Sequence, residues 1–384
     1  MQLDFHYYAT YCAAYLSGYS HKESLDICYS AQFVDRCTKS FLTEIDAPLQ
    51  AATTQSQTEL LGVRTDIIGL QDITRIWSSF HFLPGDLYAK IRSLSKNYKN
   101  KYRLICAPNG DLVIKTVELA KGKDLQAVGV AMHVLADTWA HRNFAGTPSM
   151  VINNTESYFY EVLPDDSLRK LKFGHIPGGV DDIDNNLFIN TIYNIGENTI
   201  MNLGHGRAGH LPDYSFMRYK YLPAWDEYRE CLKDNPSEYY KAFCQMVYAM
   251  RYLRGDINVF EKDTYDEDAV APYKEEIMKI LKKRQLDSSM DWKGFAEGLS
   301  GETIPDFDEM CYVSEYKNTE TDNDSTFLGR FIMAALAQKS MVTNQIYKSG
   351  NLLAGFSIDY NEHGFAGIKD YMKLVEATVR SRHE

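Results

Sequence analysis

The spacing of apolar and polar positions reads as helical over most of the chain. Residues 5–17 form a run rich in aromatics and alanine, stopped at Gly18. Ser20 followed by Glu23 is a capping-box pattern, and it opens a second helix running to about Thr38. The polar stretch 43–58, with Pro48, predicts a loop, and the period of 59–80 selects neither helix nor strand. Trp77 to Gly85 (WSSFHFLPG) is aromatic and closes on a Pro-Gly turn. Residues 102–118 carry the β signal: YRLIC and LVIKTV flank Pro108-Asn109-Gly110-Asp111, which predicts a hairpin. A long helix is predicted from about Leu125 to Arg142, followed by two glycine-rich turns at 174–182 and 204–213. From Pro223 onward helices are predicted over 237–253, 271–284, 325–348 and 365–381, with acidic loops near 255–268 and 315–325. The fold class expected is therefore mainly α with one small β-hairpin. A region 1–220 would be followed by a helical C-terminal region, 221–384, packed on it across a soft boundary.

Composition changes this picture little. At 384 residues, with 45% hydrophobic and 24% charged positions, the chain can bury a large core without disulfide staples. The seven cysteines contain no CxxC pair, which predicts reduced thiols. The first residues carry Asp4 and no basic run, so no signal peptide is expected and a cytoplasmic location is. No apolar stretch is long enough for a membrane span. A net charge of −11 disfavours non-specific nucleic-acid binding, and no basic patch for it is evident.

The candidate chemistry sits in AMHVLADTWAHRNFAG. His133, Asp137 and His141 are spaced four and four. A helix turns about 100° per residue, so these side chains drift by only about 40° per step and share one stripe. Two imidazoles and a carboxylate on an otherwise apolar helix need partners, since burying them alone would cost several kcal/mol. A divalent metal satisfies all three. The donor set suits zinc, with manganese or iron as substitutes, and an Asp between two His can bridge two ions.

HVLADTWAH resembles the helix motif of the zinc-dependent phospholipase C superfamily. Its spacing is most similar to the catalytic domain of glycosylphosphatidylinositol-specific phospholipase D. The FHFLPG and HVLADTWAH segments also resemble an uncharacterised bacterial family of unknown function. The superfamily resemblance covers about residues 1–215 and implies an all-helical bundle holding two or three zinc ions. It implies ligands at His6, Asp35 and His81 beside the helix motif, with Asp35 also as general base. The superfamily's phospholipases C continue with His-x3-Glu, which is missing here. GHGRAGHLPD stands in its place and offers His205, then His210, with Asp213 behind them. Secreted members use a mature N-terminal amine as a ligand; here only Met1 could present one.

Read alone, each supporting residue has a plainer role. His6 lies among aromatics that suit a core histidine. Asp35 near a helix C-terminus is disfavoured by the helix dipole unless a cation, Arg36 or a metal, offsets it. His81 between two phenylalanines could be a stacked structural ring. In GHGRAGH, glycines permit close backbone approach and Arg207 is a candidate for binding a phosphate oxygen. His175 is a weaker ligand candidate, while His21, His363 and His383 read as surface residues. The function expected is metal-dependent hydrolysis of a phosphodiester, either a phospholipid-like head group or another small phosphodiester. The alternatives are a non-catalytic zinc-stabilised interaction module and a single-strand nuclease-like enzyme. No HD dipeptide and no HExxH motif occurs, which argues against two other metallohydrolase classes.

Overall fold

The computed structural model describes residues 1–48, 50–55, 67–92, 95–174, 179–190, 206–318 and 322–357. Within them the protein is mainly helical, with a small sheet. A π-helical turn, Asp4–Ala9, runs directly into α1 (Thr10–Leu16). Then come α2 (His21–Phe33), α3 (Lys39–Glu44), α4 (Ile67–Phe80), α5 (Lys96–Tyr102), α6 (Asp111–Ala120) and α7 (Leu125–Ala140). A short α8 (Met150–Asn153) leads into β1 (Thr155–Val162), β2 (Leu168–Lys170), β3 (Lys172–Gly174) and β4 (Leu187–Ile189). β5 (Arg218–Pro223) and β6 (Cys231–Asp234) precede α9 (Asn235–Arg254). The chain continues through α10 (Glu267–Val270), α11 (Lys274–Lys282), α12 (Ser289–Ser300), α13 (Val313–Asn318) and α14 (Phe327–Lys348).

Local signals explain several boundaries. Ser20 and Glu23 form the expected capping box at the start of α2. Gly18, at φ +88°, provides the left-handed turn between α1 and α2. α2 ends at Phe33, a turn earlier than expected, because Asp35 and Arg36 close tight turns onto Gln32 and Phe33. The long central helix appears as expected, with His141 as its C-cap.

The hairpin expected over 102–118 is not formed. Gly110 is the N-cap of α6, and Leu112, Val113, Thr116, Val117 and Ala120 are its buried face. That spacing is helical. The β-branched content of LVIKTV suggested a strand, and packing against α7 and α14 overrides so weak a propensity. Ahead of the turn, Cys106 bridges to Pro84 and Ile105 to Ala145. The sheet lies elsewhere, in the order β2-β1-β5-β6 with antiparallel pairs, and β3 pairs parallel with β4. In β5, Tyr219, Tyr221 and Pro223 alternate inward, a period-two pattern just ahead of the helical stretch expected from Pro223. The helix expected over 365–381 lies outside the described residues.

α7 is buried along nearly its whole length, as a helix apolar on all sides must be. It is packed by α2, α4, α6, α9 and α14. Buried side chains before and after residue 220 belong to one hydrophobic core. All seven cysteines are free thiols. Among the described residues, no helix is long and apolar enough to cross a membrane.

Candidate metal centre

Separate segments deliver the polar side chains to one buried point beside α7. His6 comes from the π-helical turn, a geometry frequent at functional sites. Asp35 follows the C-terminus of α2, and His81 follows α4, its N–H bonded to Trp77 O. His133 and Asp137 stand one turn apart on α7, and His141 caps it. Asp213 ends a 3-10 turn, Leu211–Asp213.

Three of the imidazoles are aimed by backbone carbonyls. His133 Nδ1 lies 2.8 Å from Ala31 O, His141 Nδ1 2.6 Å from His81 O, and His81 Nε2 2.9 Å from Thr54 O. Each carbonyl takes an N–H, which fixes the tautomer and leaves the other nitrogen as a lone-pair donor turned inward. This is the support that metal-bound histidines ordinarily have. Thr54 is itself held by a bond from its hydroxyl to Val34 O at 2.6 Å.

The inward nitrogens of His81 and His133 converge on Asp137, which is 1% exposed. Its Oδ2 lies 3.1 Å from His81 Nδ1 and 3.3 Å from His133 Nε2. Its Oδ1 lies 3.1 Å from His6 Nε2 and 2.8 Å from the Met1 amine. Asp213 Oδ1 reaches His141 Nε2 at 3.1 Å and the same amine at 3.3 Å. Asp35 Oδ1 stands 3.8 Å from His81 Nδ1 and 4.0 Å from His133 Nε2. Two sets of donor atoms are close enough together to hold an ion: His6, His133 and Asp137, and Asp35, His81 and His133.

The donor chemistry fits divalent zinc. Ligands about 2.0–2.1 Å from a tetrahedral ion stand a little over 3 Å apart, the spacing found here. His6 is the sharpest indication. It is fully buried, and among the described residues neither ring nitrogen makes a well-aligned hydrogen bond, although Nε2 is within reach of Asp137. A buried imidazole so placed is costly unless something else binds its lone pair. Its ring also stacks on His133 at 3.8 Å, which disfavours charging both.

The buried charges are strongly coupled. Burial, and then the neighbouring His133, lower the His6 pKa to about 4, so the ring is neutral at pH 7. Burial opposes ionisation of Asp137, but His141, the amine, His133 and His6 around it hold the carboxyl well below the usual carboxylate range. Burial likewise opposes charge on the Met1 amine, yet Asp137, Asp213 and Asp35 raise it to about 11.

Of the residues predicted from sequence, His6, Asp35, His81, His133, Asp137 and His141 are thus brought together. His205, His175, His363 and His383 lie outside the described residues. His210 belongs to neither set of donor atoms, and its Nδ1 lies 3.4 Å from Asp181 Oδ2. Arg207 is half-buried, and burial lowers the pKa of its guanidinium. His21 bonds the Tyr11 hydroxyl at 2.8 Å. The acid that joins the cluster from GHGRAGHLPD is Asp213, where the sequence favours His205 and His210. The Pro212 that starts its short turn was the only local sign. Gly129 was also overlooked. A Cβ there would stand 2.4 Å from Ile27 O, so only glycine lets α2 approach closely enough to set Ala31 O against His133.

No curated protein and no solved structure matches the chain. The model of one family, described as "Family of unknown function (DUF6765)", matches residues 1–346. With that span covering most of its length, the chain belongs to this family of unknown function, DUF6765.

Proposed function

We propose that the protein is a metal-dependent hydrolase, and that a cluster of two or three divalent ions, zinc first, serves phosphodiester hydrolysis. The observation that carries this reading is the two-sided use of Asp137. One oxygen faces His81 and His133, and the other faces His6. A carboxylate disposed in this way suits a bridge between two ions. Ions held there would polarise a phosphoryl oxygen and lower the pKa of an attacking water.

The residues divide the remaining work. His133, Asp137 and His6 are buried and fix the cluster. Asp35 is the exception, with its side chain 21% exposed. It stands at the edge open to solvent, where it orients the attacking water and takes its proton. The substrate is a phospholipid-like head group or another small phosphodiester. A non-catalytic, zinc-stabilised module is the second reading, favoured by the near-complete burial of His6, His133 and Asp137. The nuclease-like reading has no comparable support, given the net charge of −11.

Elemental analysis separates these readings, run on wild type and on a His133→Ala/Asp137→Ala double variant. The expected result is two or three zinc ions per chain, lost in the variant, with hydrolysis of phosphodiester esters that is lost in parallel. A single tightly held ion and no hydrolysis would favour the structural module. Metal-free protein after purification in zinc would remove the basis of both.

A further inference from the structure

A second titratable group lies beside the cluster and is not used by it. The Asp181 carboxylate, about 1% exposed, accepts from the Tyr214 hydroxyl and the Ile189 backbone N–H, and His210 Nδ1 stands 3.4 Å from its Oδ2. Three donors from two segments, β4 and the turn around Leu211–Asp213, thus fix one buried carboxylate. The His210 ring is 55% exposed, so with Nδ1 engaged its Nε2 is the nitrogen left for a ligand. A half-exposed His–Asp contact contributes little to stability. Its geometry is nonetheless that of an imidazole oriented by a carboxylate, the usual support for proton transfer.

Position ties this pair to the metal centre. His210 O accepts from Asp213 N at 2.9 Å, closing the 3-10 turn. Positions three apart in such a turn are eclipsed, which sets His210 and Asp213 on the same side. Asp213 reaches His141 Nε2, while His210 stands outside it at the exposed rim.

We infer that His210, positioned by Asp181, is the proton donor to the leaving group. This rests on the phosphodiester reading above. As water oxygen bonds to phosphorus, its proton passes to Asp35. The bond from phosphorus to the leaving oxygen breaks with its electron pair on that oxygen. The oxygen takes the proton from His210 Nε2, and the product is an alcohol rather than an alkoxide. His210 regains a proton from solvent across its exposed face.

The test uses the full zinc-loaded chain and a series of methyl aryl phosphates, from para-nitrophenyl to para-methoxyphenyl. Wild type, His210→Gln and Asp181→Asn are compared for metal content and for kcat/KM along the series. Metal content should be unchanged. His210→Gln should lose about 100- to 10,000-fold on the poorest leaving group and far less on para-nitrophenolate, which needs no proton. Asp181→Asn should steepen the same dependence to a lesser degree. A uniform loss along the series, or no loss, would overturn the assignment, and loss of a metal ion would make His210 a ligand instead. His210 is exposed, so its variant reports even where Asp181→Asn fails to fold. Wild type inactive on every ester would instead bring down the phosphodiester reading, and this inference with it.

Discussion

Gly129 carries no functional group, yet it governs the orientation of one. The close approach of α2 puts Ala31 O 2.8 Å from His133 Nδ1, and that bond turns Nε2 toward Asp137. Adding a methyl would press on Ile27 O, Ser30 Cβ and Ala31 N together. Overpacking of this kind costs about 1–3 kcal/mol, more than the helix-propensity gain of about 1 kcal/mol on replacing glycine. Gly129→Ala is therefore expected to destabilise the protein by up to about 2 kcal/mol in urea unfolding. With the Ala31 carbonyl displaced from His133, zinc affinity should fall about 10- to 100-fold in a chelator competition titration. A variant with wild-type stability and affinity would show that the close approach does not matter.

The C-terminal end of α7 is held by elements far along the chain. Lys233 of β6, fully buried, donates to Trp139 O at 2.6 Å and pairs with Glu238 of α9. Arg142 reaches the same Glu238 at 2.5 Å, and Trp139 Nε1 donates to Gln245 Oε1 at 2.9 Å. Burial lowers the pKa of the Lys233 ammonium, and Glu238 works against that shift. Lys233→Met would leave Glu238 with half its partners and Trp139 O without this donor. Breaking a buried pair from one side costs about 3–5 kcal/mol. Denaturant unfolding should show a loss of that order, partly recovered in Lys233→Met/Glu238→Leu, where no carboxylate is stranded. A loss below about 1 kcal/mol would mean that the pair is not what anchors α7.

Across the molecule, late segments hold the early ones in place. Asn235 Nδ2 donates to Leu211 O and Tyr214 O, each at 2.8 Å, and the Tyr239 hydroxyl to Pro212 O at 3.0 Å. α9 thereby shapes the turn that carries Asp213. Because the cluster joins segments from His6 to Asp213, an ion bound there ties the N-terminal turn, α2, α4 and α7 to one point. An ion that binds only the folded state stabilises it by about 4 kcal/mol when free metal exceeds Kd about 1,000-fold. Chelation should accordingly lower the thermal unfolding temperature by several degrees, and zinc should restore it. An unfolding temperature indifferent to chelator would argue against any ion in the cluster.

Much of the site was legible from spacing alone. A helix with a fixed turn per residue forces His133, Asp137 and His141 onto one stripe, and the capping box at Ser20 and Glu23 marks its own helix start. Such features depend on neighbours a few residues away, which the order of residues specifies directly. His6, Asp35 and His81 were reached through resemblance, since nothing local distinguishes a buried ligand from a buried structural histidine. Asp213 ahead of His210, the carbonyls that aim each imidazole, and the close approach at Gly129 involve partners up to about a hundred positions apart. LVIKTV shows the same limit. Its β-branched residues suit either conformation, and packing on α7 and α14 chose the helix. Chain order fixed which donors exist and which share a turn of helix. Only the packing of distant segments decided which of them meet, because that depends on contacts no local pattern encodes.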